Sequence, residues 1–136
     1  MVVDVSNATQ PAALFPGQGS HTPEMRDLVA RRAPELLERV TELVGEDPFA
    51  RVEENTRFAQ PAIFCASLVG WDALDLHPSA AAGHSLGELA ALVAAGVLKR
   101  DDALELVVLR GRLMGEARNG SMLALVGATL EDAARR

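Results

Sequence analysis

The chain has 136 residues, 49% of them apolar, with 13 Lys plus Arg against 19 Asp plus Glu for a formal net charge of -6. This length and apolar content suit one domain around a single core, and the acidic balance argues against nucleic acid and anionic membrane as non-specific partners. One cysteine excludes a disulfide framework within the chain; with no basic-then-apolar leader and no run of about 18 apolar residues, the expected location is cytoplasmic.

Residues 1–10 read as a polar leader. Ala12-Ala13-Leu14-Phe15 is a short apolar run stopped by Pro16-Gly17, which predicts a buried strand entering the loop Gly17-Gln18-Gly19-Ser20. Thr22 before Pro23 predicts an N-cap with proline at the first helical position. The stripe Met25, Leu28, Val29, Leu36, Leu37, Val40, Leu43 and Val44 then predicts helix up to Gly45, split in two by Pro34. Residues 47–58 read as a polar surface connection, and Pro61 as the opening of a helix from Ala62 to about Leu74 that is apolar on nearly every side and therefore buried. Cys65, inside that run, reads as a small buried side chain rather than a reactive thiol.

Ser79 to Ala82 leads as a strand into Gly83, although alanines are poor strand formers. A helix from about Leu86 to Leu98 follows. Asp102 with Glu105 resembles a capping box that opens a helix to about Ala117, ended by Asn119-Gly120. Ser121 to Val126 predicts a strand, and Thr129 opens a last helical turn. Strands alternating with helices indicate an α/β fold with a mainly parallel sheet. Three strands are few for such a sheet, so part of it is expected from elsewhere.

The pattern Gly83-His84-Ser85-Leu86-Gly87 suits a sharp strand-to-helix turn, because glycines two residues to either side of the serine allow close backbone approach. A helix starting directly after Ser85 would aim its first free N–H groups, that of Leu86 foremost, at charge developing on a carbonyl oxygen attacked by the serine. The same residues also fit a plain tight turn with Ser85 as a helix cap. Arg110 has Leu106, Val107, Leu113 and Met114 as helical neighbours, so its guanidinium leaves an apolar stripe and needs an anion. A carboxylate on a substrate fits its planar fork; an ion pair with Glu88 or Glu105 is the competing reading.

Phe15-Pro16-Gly17-Gln18-Gly19-Ser20, Gly83-His84-Ser85-Leu86-Gly87-Glu88 and Leu109-Arg110-Gly111-Arg112-Leu113-Met114 together resemble the malonyl-CoA:acyl carrier protein transacylase family, whose pattern the acyltransferase domains of polyketide synthases share. The likeness runs from Leu14 onward. It implies a ping-pong reaction in which Ser85 takes a malonyl-type group from coenzyme A and passes it to the phosphopantetheine thiol of an acyl carrier protein. The coenzyme A thioester is then a substrate, and no cofactor or metal is implied.

The resemblance also implies roles for individual residues. The backbone N–H groups of Gln18 and Leu86 would form the oxyanion hole, Arg110 would bind the free carboxylate, and His84 would stand beside the nucleophile, as a packing residue or in direct contact with substrate. It implies a partial α/β-hydrolase-like sheet over residues 11–120 and, over residues 121–136, the start of a small ferredoxin-like subdomain. A basic patch for the acidic carrier is offered by Lys99-Arg100 with Arg112 and Arg118, a cluster that also fits ordinary solvated surface.

A serine hydroxyl needs a base, which the family supplies as a histidine well downstream of the arginine motif. None of His21, His77 and His84 matches it. His84 diverges from Ser85 on a sharp turn and His77 lies at the far end of the strand, so His21, near the Gln18 loop, is the one substitute within the chain. The sequence thus indicates an acyltransferase half that works with a complementary C-terminal chain. The alternatives are a non-catalytic truncated homologue acting as an interaction module, and a serine esterase with its own base. Selection between malonyl and branched acyl groups is not readable from these residues.

Overall fold

The computed structural model describes residues 11–74 and 78–118, with residues 127, 129, 131 and 134 beyond them. Its elements run in the order β1 (Ala12–Phe15), α1 (Met25–Arg32), α2 (Pro34–Val44), a 3-10 turn at Pro48–Arg51, α3 (Thr56–Asp72), β2 (Ala80–Gly83), α4 (Gly87–Ala94) and α5 (Arg100–Glu116). The fold is α/β. β1 and β2 pair in parallel, with Ala12 opposite Ala80 and Phe15 opposite Gly83. A parallel pair needs a crossover, and three helices supply it.

The crossover divides where proline requires. Pro34 cannot continue α1, and Ala33 takes φ -148 between the two helices. Met25 opens α1 two residues later than the Thr22-Pro23 pair predicts. The reason is local: Thr22 donates its hydroxyl to the Glu24 carboxylate, which lowers that acid's pKa, and so does not cap a helix.

α3 corrects a larger expectation. It starts at Thr56, not at Ala62, because Asn55 in an extended conformation accepts from the Arg57 N–H and nucleates the first turn. Pro61 therefore sits inside the helix, where it supplies no N–H to the Arg57 carbonyl. That carbonyl instead lies against Gly111 of α5, where a side chain would crowd it. As expected, α3 is the buried axis of the molecule, with Phe58 through Ala66, Leu68 and Val69 all buried. It packs against α5, α1, α4 and α2, and Trp71 meets Phe15 of β1 edge-on at 5.9 Å.

α4 ends at Ala94, short of Leu98, because Gly96 turns the chain with φ 71. α5 begins at Arg100 with no side-chain cap. Glu105 is not part of a capping box; it accepts from Arg39 of α2 at 2.9 Å and ties the two helices together. The predicted strand over Ser121 to Val126, the leader 1–10 and His77 lie outside the described residues. Among the described residues no helix is long and apolar enough to cross a membrane.

Candidate active site

The turn between β2 and α4 is built around close backbone contact. A Cβ on Gly83 would overlap the backbone of Gly87 and Glu88, and a Cβ on Gly87 would overlap the carbonyls of Phe15 and Pro16. Without side chains at these positions, α4 starts directly against the ends of both strands. Ser85 between them has φ 55, the left-handed region that residues other than glycine seldom occupy. A strained serine on a strand-to-helix turn is the geometry of an exposed nucleophile. Ser85 is exposed at the tip of this turn, its Oγ accepting a hydrogen bond from Arg110, while Leu86 takes the N-cap position of α4.

The turn is fixed to the first loop. His84 donates its N–H to the Phe15 carbonyl at 3.1 Å, extending the sheet register, and its ring rests on Gly17, which has no room for a side chain. Ser20 closes the loop by donating to the Gly17 carbonyl at 2.8 Å. Within the turn, the Gly87 N–H donates to His84 and the Glu88 N–H to Ser85. Leu86 is buried beneath the turn at the head of α4.

Arg110 reaches this turn from α5. Its Nη2 donates to Ser85 Oγ at 3.0 Å, and its Nη1 donates to Gln60 Oε1 at 2.5 Å. Both acceptors are neutral. Glu105 is engaged with Arg39, and Glu88 lines the same cavity. With two of its five N–H groups committed, the guanidinium keeps others for an anion.

Gln60 was not apparent as a site residue in the sequence. Its side chain is fully buried, at 0% exposure, in the apolar wall of α3. A buried amide requires partners: Nε2 donates to Thr56 Oγ1 at 2.8 Å and contacts Met114 Sδ at 3.3 Å. Thr56 in turn donates to Gln18 Oε1 at 2.6 Å. One series of hydrogen bonds therefore joins Gln18, Thr56, Gln60, Arg110 and Ser85. The signal available in the sequence was a lone polar residue within Phe58-Ala59-Gln60-Pro61-Ala62.

The resulting open cavity has a volume of about 740 Å³ and is lined by His84, Ser85, Glu88, Leu89 and Arg110, with Leu106, Leu109, Leu113 and Met114 along α5. Ser85, His84 and Arg110 thus line one cavity; Leu86 is buried behind the turn, and Gln18 is linked to Arg110 through Thr56 and Gln60. His21 lines a separate cavity with Arg26, Phe49 and Glu53, with Nε2 3.6 Å from Glu53 Oε1.

Two further expectations bear on the geometry. Cys65 is buried, and desolvation raises its thiol pKa to about 12, which marks it as a packing group. Of the basic cluster, Arg100 is engaged with Asp72 at 2.7 Å in a partly exposed ion pair. Among the described residues no group of three or more His, Cys, Asp or Glu is placed to hold a metal ion.

Comparison with known proteins agrees with this geometry. The acyl transferase domain family matches residues 20–136. The chain is 36% identical over 128 residues to the polyketide biosynthesis malonyl CoA-acyl carrier protein transacylase BaeC of Bacillus velezensis, covering 85% of this chain and 44% of that protein. It is 38% identical over 142 residues to the malonyl CoA-acyl carrier protein transacylase of Escherichia coli K12, covering 92% of this chain and 45% of that protein. A solved malonyl-transacylase in complex with its type II polyketide synthase acyl-carrier protein superposes with TM-score 0.66 at 37% identity, over 79% of this chain and 40% of that one. The chain spans less than half the length of these relatives. Its matched residues include the strained serine turn and the arginine that reaches it, and the chain belongs to the acyl transferase domain family.

Proposed function

We propose that this chain is the nucleophile-bearing half of a malonyl-type acyltransferase, in which Ser85 carries the acyl group between a coenzyme A thioester and the phosphopantetheine thiol of an acyl carrier protein. The observation that carries the reading is the 3.0 Å hydrogen bond from Arg110 to Ser85 Oγ on the strained turn. It sets a carboxylate-binding cation beside a displayed nucleophile. The names of the relatives supply the substrate class.

Ser85 Oγ attacks the thioester carbonyl as a base removes its proton. The tetrahedral oxyanion is held by the N–H groups of Leu86 and Gln18. Its collapse expels the coenzyme A thiolate, which takes up a proton, and leaves a malonyl ester on Ser85. The carrier's thiol then repeats the attack on that ester and restores the serine. Throughout, Arg110 holds the distal carboxylate through its remaining N–H groups, and His84 forms the wall beside the ester.

On this reading the base is supplied by the complementary C-terminal chain. His21 faces another cavity, and this counts against the self-contained esterase. Two apolar surfaces fit the reading that further chain packs here as the rest of an α/β-hydrolase-like sheet and a ferredoxin-like subdomain. One is the groove of about 520 Å³ along the edge of β1 that has no partner strand among the described residues, where Leu14 is 78% exposed above Met25, Leu28, Trp71 and Leu74. The other is the exposed row of Leu106, Leu109 and Leu113 on α5. Unpaired edges and large apolar patches of this kind call for cover.

The test is malonyl transfer from malonyl-CoA to the chain, followed by mass spectrometry of the Ser85 peptide, with and without a complementary C-terminal segment from a full-length relative. Label on the wild type only with the segment, and none on Ser85→Ala, is the expected result. Label that persists in Ser85→Ala would sink the reading, and absence of label under every condition would favour a non-catalytic interaction module.

A further inference from the structure

Thr56 stands between two parts of the site that have separate tasks. On one side it donates to Gln18 Oε1 at 2.6 Å; on the other it accepts from Gln60 Nε2 at 2.8 Å. These directions are coupled, because a hydroxyl has one proton. With that proton given to Gln18, the Thr56 oxygen presents lone pairs to Gln60 and draws its amide NH2 toward itself. Met114 Sδ, an acceptor at 3.3 Å, draws it the same way. The amide oxygen of Gln60 is then left facing Arg110, where it accepts from Nη1 at 2.5 Å. The reverse orientation would set an NH2 group against a guanidinium.

We propose that Thr56 is a positioning residue that couples carboxylate selection at Arg110 to the oxyanion loop at Gln18, acting through the buried amide of Gln60. This rests on the reading above, that Ser85 accepts an acyl group bearing a carboxylate. Gln60 is fully buried and cannot exchange its partners for water. Removing the Thr56 hydroxyl takes away one of the two acceptors that fix its NH2, loosening the amide on which Arg110 rests. It also frees the Gln18 side chain and the loop behind it. Thr56 touches neither the nucleophile nor the fork itself, so its effect is on geometry.

Thr56→Val, close to isosteric, breaks the series, while Thr56→Ser keeps the hydroxyl. Two measurements decide the proposal in the full chain. The first needs no substrate: rotation of the Arg110 guanidinium, followed by side-chain nitrogen NMR, is slow in the wild type and Thr56→Ser and faster in Thr56→Val. The second is the ratio of Ser85 acylation by malonyl-CoA to acylation by acetyl-CoA, in the presence of the complementing segment. That ratio falls about tenfold in Thr56→Val and returns in Thr56→Ser. Simple loss of folded protein lowers both rates and leaves the ratio alone.

Gln18→Leu breaks the series at its exposed end, and it gives the same change in Arg110 rotation should Thr56→Val not fold. Unchanged rotation and an unchanged ratio in folded variants overturn the proposal. Failure of the wild type to be acylated at all overturns the acyltransfer reading instead, and the guanidinium measurement still decides the role of Thr56.

Discussion

Arg110 and Ser85, 25 residues apart in the chain, meet through a 3.0 Å hydrogen bond in which the guanidinium donates to the hydroxyl oxygen. The bond has two consequences. On the proposed function, it places the cation within one acyl group's reach of Ser85 Oγ and would stabilise negative charge there as the proton leaves. Because Gln60 holds the other end of the guanidinium, the fork arrives already oriented and little side-chain entropy remains to be lost on binding.

Truncating this cation should separate recognition from chemistry. A hydrogen bond to a charged group is worth about 1.5–3 kcal/mol, so Arg110→Ala should lower kcat/KM for malonyl-CoA roughly ten- to hundredfold. Acetyl-CoA, with no carboxylate to hold, should be affected far less. Arg110→Lys should recover only part of the loss, since an ammonium cannot present two parallel N–H donors in the planar fork geometry. Steady-state assays with the two thioesters check this, and equal losses for both would show that Arg110 acts on Ser85 alone.

The glycines of the turn predict a contrast in stability. Gly83→Ala and Gly87→Ala each drive a Cβ into backbone that cannot move aside. Each should cost on the order of 3 kcal/mol or more and abolish site assembly. Gly45→Ala, at φ 91 with open space around it, meets only conformational strain and should cost about 1–2 kcal/mol. Urea denaturation of the variants distinguishes the two mechanisms.

The parts legible in the sequence were those fixed by local sterics. Pro34 takes the first position of α2, where its missing N–H costs nothing, and Gly83 and Gly87 announce a tight turn from their spacing. The parts that were not legible depend on partners far along the chain. Glu105 has the spacing of a capping residue, yet it is claimed by Arg39, 66 positions away. Pro61 suggested a helix start because the favourable cap, Asn55, lies in a polar stretch that reads as loop. That one misplaced boundary hid Thr56 and Gln60, whose i, i+4 relation exists only once the helix begins at Thr56. His21 is near Gln18 in sequence, but the turn at Thr22 carries it to a different cavity.

Cys65 makes stability depend on pH in alkaline solution. Burial raises its thiol from an ordinary value of 9.0 to about 12, opposed in small part by Arg100. Between those values the folded state holds a proton that the unfolded state has released. Stability from this group is therefore complete below pH 9 and falls as pH rises toward 12, by up to about 1.4 kcal/mol per pH unit. Urea midpoints across that range should flatten for Cys65→Ala relative to the wild type. A thiol-directed reagent at pH 8 should react with the unfolded chain and leave the folded chain unmodified.

The strain at Ser85 should be measurable as lost stability. At φ 55 a side chain of any kind costs about 1–2 kcal/mol relative to a relaxed backbone, and glycine escapes that cost at some expense in unfolded-state entropy. Ser85→Ala and Ser85→Gly both lose the hydroxyl and the bond from Arg110, so those losses cancel between them. What remains is the backbone preference, and Ser85→Gly should be more stable than Ser85→Ala by about 1 kcal/mol. Both should be inert toward malonyl-CoA. Equal denaturation midpoints for the two would mean that the turn relaxes when the serine is removed, and that the strain belongs to the Ser85–Arg110 bond rather than to the glycine-framed backbone.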